Sequence, residues 1–489
     1  MNFSKRSLTS LMLVLPLSLS VQAQEAEPGP LAAGRDKFLG SVYSPSQLDY
    51  FTDYFNQVVS ENAGKWGVVT NQETQPAAYE DAWFTADGDN SWAGGIDESL
   101  EFAEQNGFPY RFHVMLWGNQ QPQWMADLDA AAQLAAIDEW FTVVSDRYQD
   151  GEGGSRFDFI EVLNEPVNDP PDQPDDNGQG GNYKEALGGD GATGWDWAVE
   201  AFELGRTYFP GSTLMVNEYN VLSSDDVLTG YLELIDVLVE NDLLDAVGIQ
   251  AHAFSTQNTS SEDIRDHLNQ VAERGLPVYI TEMDIDGPDD QVQLEEYRRV
   301  FPIFWEHESV QGVTLWGHNP GLWREDAFLL NEDGSERPAM AWLRCYMDSV
   351  RTGVPSIFAG QALEAPLDSV PGTAFGQVWD CYGEDSSPVD SWRITGGTGE
   401  NVFVVSDSGE LSLADGQSLM PEENFTLELV AAVGDEESEP QQVNIEVVGE
   451  GTHTPAPSAL PKGNSGSTGV WWLGLLLLLA SARWGSARR

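Results

Sequence analysis

Two glutamates stand near the ends of two apolar runs, where they could carry out acid–base and nucleophilic chemistry. Glu165 lies near the end of the run Phe157–Pro166, and Glu282 near the end of Pro277–Asp284. Short runs rich in branched and aromatic residues predict buried strands. The C-terminal ends of parallel barrel strands converge on one cleft, where one carboxyl can protonate a leaving group while the other attacks a sugar carbon.

The other predicted strand ends carry residues suited to a carbohydrate ligand. Amides and imidazoles can hydrogen-bond sugar hydroxyls, and flat indoles can cover the apolar faces of pyranose rings. Asp284 lies two residues from Glu282, so both side chains point to the same side of a strand, where Asp284 can organise the hydrogen bonds around Glu282 or a neighbouring histidine. The remaining candidate substrate-binding residues are Glu61, Asn62, Lys65, His113, Trp117, Asn164, Tyr219, Gln250, His252, Trp316 and Trp323.

Neither a metal nor a cofactor is predicted. The histidines and cysteines lack the spacing of a zinc site, and no glycine-rich loop is suited to cradling phosphate. The acidic loop Val167–Gly181 directly follows Glu165. It is either a calcium site or a solvated loop that shapes the leaving-group side of the cleft.

Strand-like and helix-like segments alternate from about residue 30 to about residue 350, which predicts a (β/α)₈ TIM barrel. The strands are predicted at Phe38–Tyr43, Phe55–Ser60, Tyr110–Trp117, Phe157–Asn164, Thr213–Asn217, Ala246–Ala251, Val278–Thr281 and Val313–Trp316. Longer patterns with helical spacing lie at Ala131–Tyr148, Trp195–Tyr208, Val227–Val239 and Val292–Trp305. The predicted catalytic domain spans residues 24–353.

Helical periodicity disappears beyond residue 353, and short alternating runs separated by turn residues predict a small all-β sandwich over residues 354–449. Its strands are predicted at Ser391–Ile394, Val402–Ser406, Glu410–Leu413, Asn424–Ala432 and Gln442–Val448. Residues 450–468 are rich in Pro, Gly, Ser and Thr and predict a linker. The chain ends in a C-terminal hydrophobic segment, residues 469–489.

Both ends of the chain carry targeting signals. Residues 1–23 combine a positive start, a short apolar core and a small-residue cleavage signature, which predicts a signal peptide and a secreted or cell-surface protein. The apolar run Val470–Ala482 is shorter than the roughly 20 residues that a full span needs. It is therefore expected to make only a transient membrane contact before processing.

The charge balance excludes several classes of partner. With 23 Lys and Arg against 80 Asp and Glu, the formal net charge is −57. Nucleic acids and anionic membranes require a cationic face, so neither is an expected partner. The acidic excess fits either saline surroundings, where salt screens repulsion, or simple solubility. Cys345 and Cys381 are the only two cysteines, and they are either paired or buried as free thiols.

The motifs of the first domain resemble glycoside hydrolase family 10, the endo-1,4-β-xylanases. The resemblance covers about residues 30 to 350 and rests on Glu61-Asn62, Lys65-Trp66, His113, Trp117, Asn164-Glu165, Gln250, His252, Thr281-Glu282-Met283-Asp284, Trp316 and Trp323. It implies a retaining hydrolase of internal 1,4-β-xylosidic bonds, with Glu165 as general acid/base and Glu282 as nucleophile. A xylan or xylo-oligosaccharide substrate and a monomeric enzyme are expected.

Two positions depart from the family pattern, and two alternative functions stay open. Gly118 stands where many members have histidine, and Glu218 stands where aspartate is usual. The alternatives are a related endo-glucanase acting on cellulose or mixed-linkage glucan, and a non-catalytic surface glycan-binding protein.

Weaker resemblances concern the C-terminal part of the chain. The strand pattern and the turn Asp407-Ser408-Gly409-Glu410 resemble cadherin-like or immunoglobulin-like modules. Such a module binds carbohydrate, binds calcium or spaces the enzyme from a surface. The final segment resembles bacterial Gly-Gly-type sorting segments, which implies its cleavage.

Overall fold

The computed structural model describes residues 29–70, 74–87, 90–174 and 181–449. The predicted signal peptide, linker and C-terminal apolar run lie outside the described residues. The described chain divides into two compact units. The first comprises the chain up to Phe358 with Asp380–Asp390 and Ala431–Glu439, and the second comprises Ala359–Trp379, Ser391–Val430 and the chain from Pro440. The predicted domain boundary after residue 353 stays a prediction.

A closed parallel barrel forms the first unit. Its strands are β1 (Phe38–Tyr43), β2 (Val58–Ser60), β3 (Tyr110–Phe112), β4 (Leu116–Trp117), β5 (Phe159–Asn164), β6 (Thr213–Glu218), β7 (Ala246–Ile249), β8 (Val278–Met283) and β9 (Val310–Leu315). They form one sheet in the order β3-β2-β1-β9-β8-β7-β6-β5-β4, which the additional pairing of β3 with β5 closes. Because β3 and β4 both pair with β5, they are two parts of one barrel strand. The barrel therefore has the eight strands that were predicted.

Helices follow most barrel strands. They are α1 (Phe51–Tyr54), α2 (Trp66–Val69), α3 (Ile96–Asn106), α4 (Ala130–Arg147), α5 (Asp196–Tyr208), α6 (Asp225–Glu240), α7 (Ala253–Thr256), α8 (Ser261–Ala272), α9 (Asp290–Trp305) and α10 (Pro338–Thr352). Side-chain caps begin four of the longer ones, since Asp129, Ser224, Ser260 and Asp289 accept backbone N–H bonds at the starts of α4, α6, α8 and α9. No described helix has the length and hydropathy needed to span a bilayer.

The short barrel strands are buried because helices cover the outside of the sheet. Leu39, Ile160, Val247 and Ile280 are all fully buried, as expected for parallel strands enclosed by helices. A disulfide joins Cys345 in α10 to Cys381, so the two cysteines are paired. The closed loop spans a sequence separation of 36 residues. A loop of that size is expected to stabilise the fold by about 4 kcal/mol through the unfolded state.

The C-terminal part of the described chain is all-β, and the predicted fold class is confirmed. Its strands are β10 (Ala362–Pro366), β11 (Ala374–Gln377), β12 (Ser391–Gly396), β13 (Phe403–Val405), β14 (Glu410–Leu413), β15 (Asn424–Val433), β16 (Glu436–Glu437) and β17 (Gln441–Val448). One sheet has the order β10-β17-β15-β12 with β16 beside β15, and the other has the order β11-β14-β13.

Candidate active site

Glu282 lies in β8 and points into the cleft at the C-terminal end of the barrel. Its carboxyl accepts a hydrogen bond from Asn217 Nδ2 at 2.7 Å and lies 3.3 Å from His252 Nε2. Burial alone would raise the pKa of this carboxyl, but the His252 bond and nearby positive charge outweigh burial and lower the pKa to about 2. Glu282 is therefore ionised throughout the neutral range.

A second carboxylate fixes the histidine beside Glu282. His252 Nδ1 lies 2.7 Å from Asp284 Oδ2, and Asp284 Oδ1 accepts the Ala253 N–H at 2.8 Å. Burial would lower the pKa of His252, but Asp284 and Glu282 raise it to about 10. An imidazolium placed between two carboxylates donates to both, so it orients Glu282 and favours its ionised form.

Glu165 begins the loop that follows β5, and its surroundings differ from those of Glu282. Its side chain is buried, with Trp117 Nε1 and Gln250 Nε2 each donating to it at 2.7 Å. Burial and then the negative charge of Glu218 raise the pKa of Glu165 well above its ordinary value. Glu165 therefore holds its proton at a pH where Glu282 does not.

Three amides connect the two glutamates. Asn217 Nδ2 donates to Glu282 and also to Asn164 Oδ1 at 3.0 Å, while its own Oδ1 accepts from Thr281 Oγ1 at 2.6 Å. Gln250 Nε2 donates to Asn164 Oδ1 at 3.2 Å as well as to Glu165. The orientation of the Asn217 amide is fixed by these bonds, because its nitrogen donates and its oxygen accepts.

An ion pair lies beneath the site. The guanidinium of Arg111 contacts Glu161 and also donates to the Thr281 carbonyl at 2.6 Å. His113 Nδ1 lies 2.5 Å from Glu161, and burial lowers the pKa of His113 to about 3, so this histidine is neutral. His113, Glu161 and Glu282 form the one group in the described chain with metal-like spacing. Arg111 already neutralises Glu161, so the arrangement suits an ion pair and not a metal.

The predicted binding residues after β2 also face the cleft. Lys65 Nζ donates to Asn62 Oδ1 at 2.9 Å and lies 5.2 Å from the centre of the Trp117 ring. Burial lowers the pKa of Lys65, and the negative charges of Glu282 and Glu61 oppose that shift. Trp66 is different, because it is buried against Trp140 with ring centres 5.8 Å apart. It is part of the packing of the barrel.

Aromatic side chains complete the cleft. Trp316 is buried, with its ring centre 5.4 Å from His113. Trp323 is 52% exposed, and its Nε1 donates to Asp284 Oδ2 at 3.2 Å. The half-buried Tyr219 donates its hydroxyl to Asp169 Oδ2 at 3.0 Å. An exposed indole held by a buried carboxylate is free to stack on a sugar ring.

Sequence reasoning missed Asn217 and Glu161 as members of the site. Asn217 links Asn164, Thr281 and Glu282, yet an asparagine at a strand end gives no sign of its partners. Glu161 did carry a signal, because a charge within the apolar run Phe159–Leu163 requires a buried partner. That partner is Arg111 on the neighbouring strand.

The sequence profile described as Glycosyl hydrolase family 10 matches residues 30–345. The chain belongs to this family. The match contains every strand of the barrel and both glutamates.

Two of the named relatives that match this part of the chain are longer proteins. Endo-1,4-beta-xylanase B of Cellvibrio japonicus is 33% identical over 312 residues, which is 63% of this chain and 45% of that protein. Endo-1,4-beta-xylanase C of Paenibacillus barcinonensis is 25% identical over 330 residues, which is 60% of this chain and 28% of that protein. The chain thus spans less than half the length of these two relatives.

A solved structure of similar fold is xylanase 10B from Thermotoga petrophila RKU-1 in complex with xylobiose, with a TM-score of 0.53. It is 20% identical and covers 67% of this chain and 98% of its own. The similarity supports the barrel fold.

Proposed function

We propose that this chain is a retaining endo-1,4-β-xylanase with Glu282 as nucleophile and Glu165 as general acid/base. The observation that carries the proposal is the contrast between two buried carboxyls in one cleft. Glu282 is held ionised by Asn217 and His252, whereas Glu165 is held protonated by burial and acidic neighbours. Retaining hydrolysis needs such a division, with the two carboxyls about 5–5.5 Å apart.

In the first step, a Glu282 oxygen attacks the anomeric carbon and forms a glycosyl-enzyme. Glu165 gives its proton to the departing glycosidic oxygen, so the leaving sugar departs as a neutral alcohol. Asn164 is placed beside both glutamates by Asn217 and Gln250. Its amide nitrogen accordingly donates to the 2-hydroxyl of the reacting sugar.

In the second step, Glu165 acts as a base. It removes a proton from a water molecule, whose oxygen attacks the anomeric carbon and breaks the ester bond to Glu282. The imidazolium of His252 stabilises the departing Glu282 carboxylate, and Asp284 keeps that imidazolium charged. Two displacements at one carbon restore the original configuration.

The choice of xylan rests on the relatives. The named family 10 proteins described above are endo-1,4-β-xylanases, and the similar Thermotoga petrophila structure holds xylobiose. Trp323 supplies exposed indole surface beside His252, which contacts the nucleophile, and such a surface suits a pyranose chain. The enzyme is proposed to act as a monomer and without a cofactor.

A substrate comparison tests the proposal. The full chain is assayed for reducing-sugar release from glucuronoxylan, arabinoxylan and carboxymethylcellulose, with products resolved by size and Glu282→Gln as the inactive control. Internal cleavage of both xylans is expected. Faster cleavage of carboxymethylcellulose would favour an endo-glucanase, and xylan binding without cleavage would favour a glycan-binding protein.

We further propose that the enzyme is exported and processed at both ends. The support is the sequence of residues 1–23 and of the apolar run Val470–Ala482. The C-terminal all-β part is proposed to be an immunoglobulin-like or cadherin-like spacer. Intact-mass measurement of the protein from its native host should show neither terminal segment, and a mass that includes the apolar run would indicate a retained anchor.

A further inference from the structure

The backbone around Glu165 is held in a tight turn. Glu165 has a φ of 55°, in the left-handed region that side chains other than glycine rarely occupy. Its N–H donates to the Asn217 carbonyl at 2.8 Å, and its carbonyl accepts the Asp169 N–H at 2.7 Å. The position of the Glu165 carboxyl therefore depends on where the segment Val167–Asp169 is held.

A buried carboxyl that takes no part in the two displacements holds that segment. Glu218, at the end of β6, is fully buried. Its Oε2 accepts the Val167 N–H at 2.8 Å and the Asn168 N–H at 3.4 Å, while its Oε1 accepts Asn168 Nδ2 and the Tyr219 N–H, both at 2.8 Å. All of these partners are donors, which is the arrangement that an ionised carboxylate requires.

The other side of the segment is held by a glycine. The Gly118 N–H donates to the Asp169 carbonyl at 3.1 Å. A Cβ atom at Gly118 would overlap that carbonyl oxygen and lie 2.6 Å from the Pro170 carbonyl oxygen. Only a residue without a side chain lets the segment pack this closely against the end of the third barrel strand.

We propose that Glu218 is a positioning residue for the acid/base Glu165, acting through the segment Val167–Asp169 that it clamps against Gly118. The proposal rests on the function proposed above. It gives Glu218 two separable effects. The length of its side chain lets it hold the turn that orients Glu165. Its negative charge opposes the ionisation of Glu165.

The charge effect has a definite direction. Burial raises the pKa of Glu218 to about 7, although the N–H groups that donate to it act in the opposite direction and lower the pKa. The negative charge of Glu218 therefore develops near neutral pH. A negative charge there makes it harder for Glu165 to lose its proton, which raises the pKa of Glu165. The other charged groups facing Glu165 are Glu282 from β8, Asp169 from its own loop and Lys65 from the loop after β2.

Two substitutions separate the effect of side-chain length from the effect of charge. Glu218→Gln keeps the length, but it removes the charge and turns an amide nitrogen toward N–H donors. Glu218→Asp keeps the charge but withdraws it from the segment by one methylene. The control is Asp158→Asn, because Asp158 also accepts a backbone N–H, from Tyr110 at 2.7 Å, and lies just before β5, at the end of that strand opposite Glu165.

The measurements use the full chain with two substrates across pH. Xylan has a poor leaving group that needs a proton from Glu165, whereas an aryl β-xylobioside with a good leaving group does not. Glu218→Gln should lower kcat on xylan about 10- to 100-fold. It should lower kcat/KM for the aryl substrate less than about threefold, because kcat/KM reports only the first displacement, in which that leaving group needs no proton. The alkaline limb of its pH profile, where kcat/KM on xylan falls as Glu165 loses its proton, should move to lower pH by about one unit, because Glu165 no longer faces the negative charge of Glu218.

The two other variants should each change a different part of this pattern. Glu218→Asp should lower kcat on xylan about 10-fold, with its alkaline limb within about 0.3 units of the parent. Asp158→Asn should lower the melting temperature with neither kinetic change. Gly118→Ala tests the other side of the clamp independently, and it should reproduce the selective loss on xylan without moving the alkaline limb.

The outcomes distinguish this proposal from the function on which it rests. A parent enzyme that does not cleave xylan would overturn the proposed function. A parent enzyme that cleaves xylan, with Glu218 variants that lose both substrates equally and keep the parent pH profile, would overturn the positioning role alone. Equal loss on both substrates would mean that less of the enzyme is folded. A smaller folded fraction lowers both rates alike and leaves their dependence on the leaving group unchanged.

Discussion

The surroundings of Glu282 and Glu165 differ in almost every respect, although both residues are buried glutamates in one cleft. Glu282 lies within a strand and faces a protonated histidine and an asparagine amide. Glu165 lies just beyond a strand, in a left-handed turn, and faces Glu218. The residue type is identical, so the neighbours must assign the roles.

The two regions also differ in what holds them. Glu282 lies within β8 and accepts from Asn217 within β6, and the barrel ladder fixes the positions of both strands. The backbone of Glu165 is held partly by a loop segment, which depends on Glu218 and Gly118. Changes near Glu282 should therefore affect formation of the glycosyl-enzyme from every substrate, and changes near Glu165 should affect that step only for substrates whose leaving group needs a proton.

Removal of the nucleophile should have the largest effect. Glu282→Ala should lower kcat on xylan by about 10⁵-fold or more, because no glycosyl-enzyme can form. The activated aryl substrate should fail as well. Added azide could only attack the anomeric carbon directly, so any product should be the inverted α-azide, identified by NMR.

Removal of the acid/base should have a smaller and substrate-dependent effect. Glu165→Ala should lower kcat on xylan about 10²- to 10⁴-fold but still form the glycosyl-enzyme from the aryl xylobioside. Azide can occupy the vacated space and needs no base, so it should speed turnover and give the β-azide. An α-azide from this variant would mean that the two roles are exchanged.

Loss of the charge behind His252 should have a moderate effect on kcat and on the acidic limb of the pH profile. Asp284 raises the pKa of His252, and the imidazolium in turn lowers the pKa of Glu282 to about 2. In Asp284→Asn the imidazolium is less stable, so the pKa of Glu282 should rise and the acidic limb of kcat/KM should move to higher pH. We expect a shift of about one unit and a loss in kcat of about 10-fold. An unmoved acidic limb would show that His252 does not depend on Asp284.

Much of the barrel could be predicted because its signals are local. β1 has the predicted bounds, and α4, α5, α6 and α9 differ from prediction by one or two residues at their ends. Apolar runs and helical spacing are present in the sequence itself. No bounds were predicted for helices α3, α8 and α10, and β10, β11 and β16 of the all-β part were missed. The three missed strands are short and at most partly buried, so the alternation of apolar and polar residues along them is weak.

The position of the candidate site could be predicted from the sequence, but the bonds between its side chains could not. The strand ends indicate which residues meet, since all of them lie on one rim of the barrel. The partners of each side chain depend on strand register and loop packing, which are long-range properties. The link from Asn217 to Glu282 spans 65 residues and the link from Glu218 to Val167 spans 51, so neither leaves a local pattern.

The smallest expected effect is that of salt on the pH profile. It tests whether the difference in pKa between Glu165 and Glu282 arises from their immediate neighbours. The net charge of −57 is itself a negative field that raises carboxyl pKa values. If that field caused the raised pKa of Glu165, screening should move both limbs of the pH profile to lower pH together. The immediate neighbours explain the contrast instead, since they shift the two carboxyls in opposite directions.

Between about 10 mM and about 1 M sodium chloride, the limbs should therefore move by less than about 0.3 units, because buried pairs are screened little. The melting temperature should rise over the same range, because exposed acidic side chains repel one another less when screened. Kinetic pH profiles and thermal melts of one preparation at both salt concentrations provide the test. A joint downward shift of both limbs would assign the raised pKa of Glu165 to the field of the whole protein and not to Glu218.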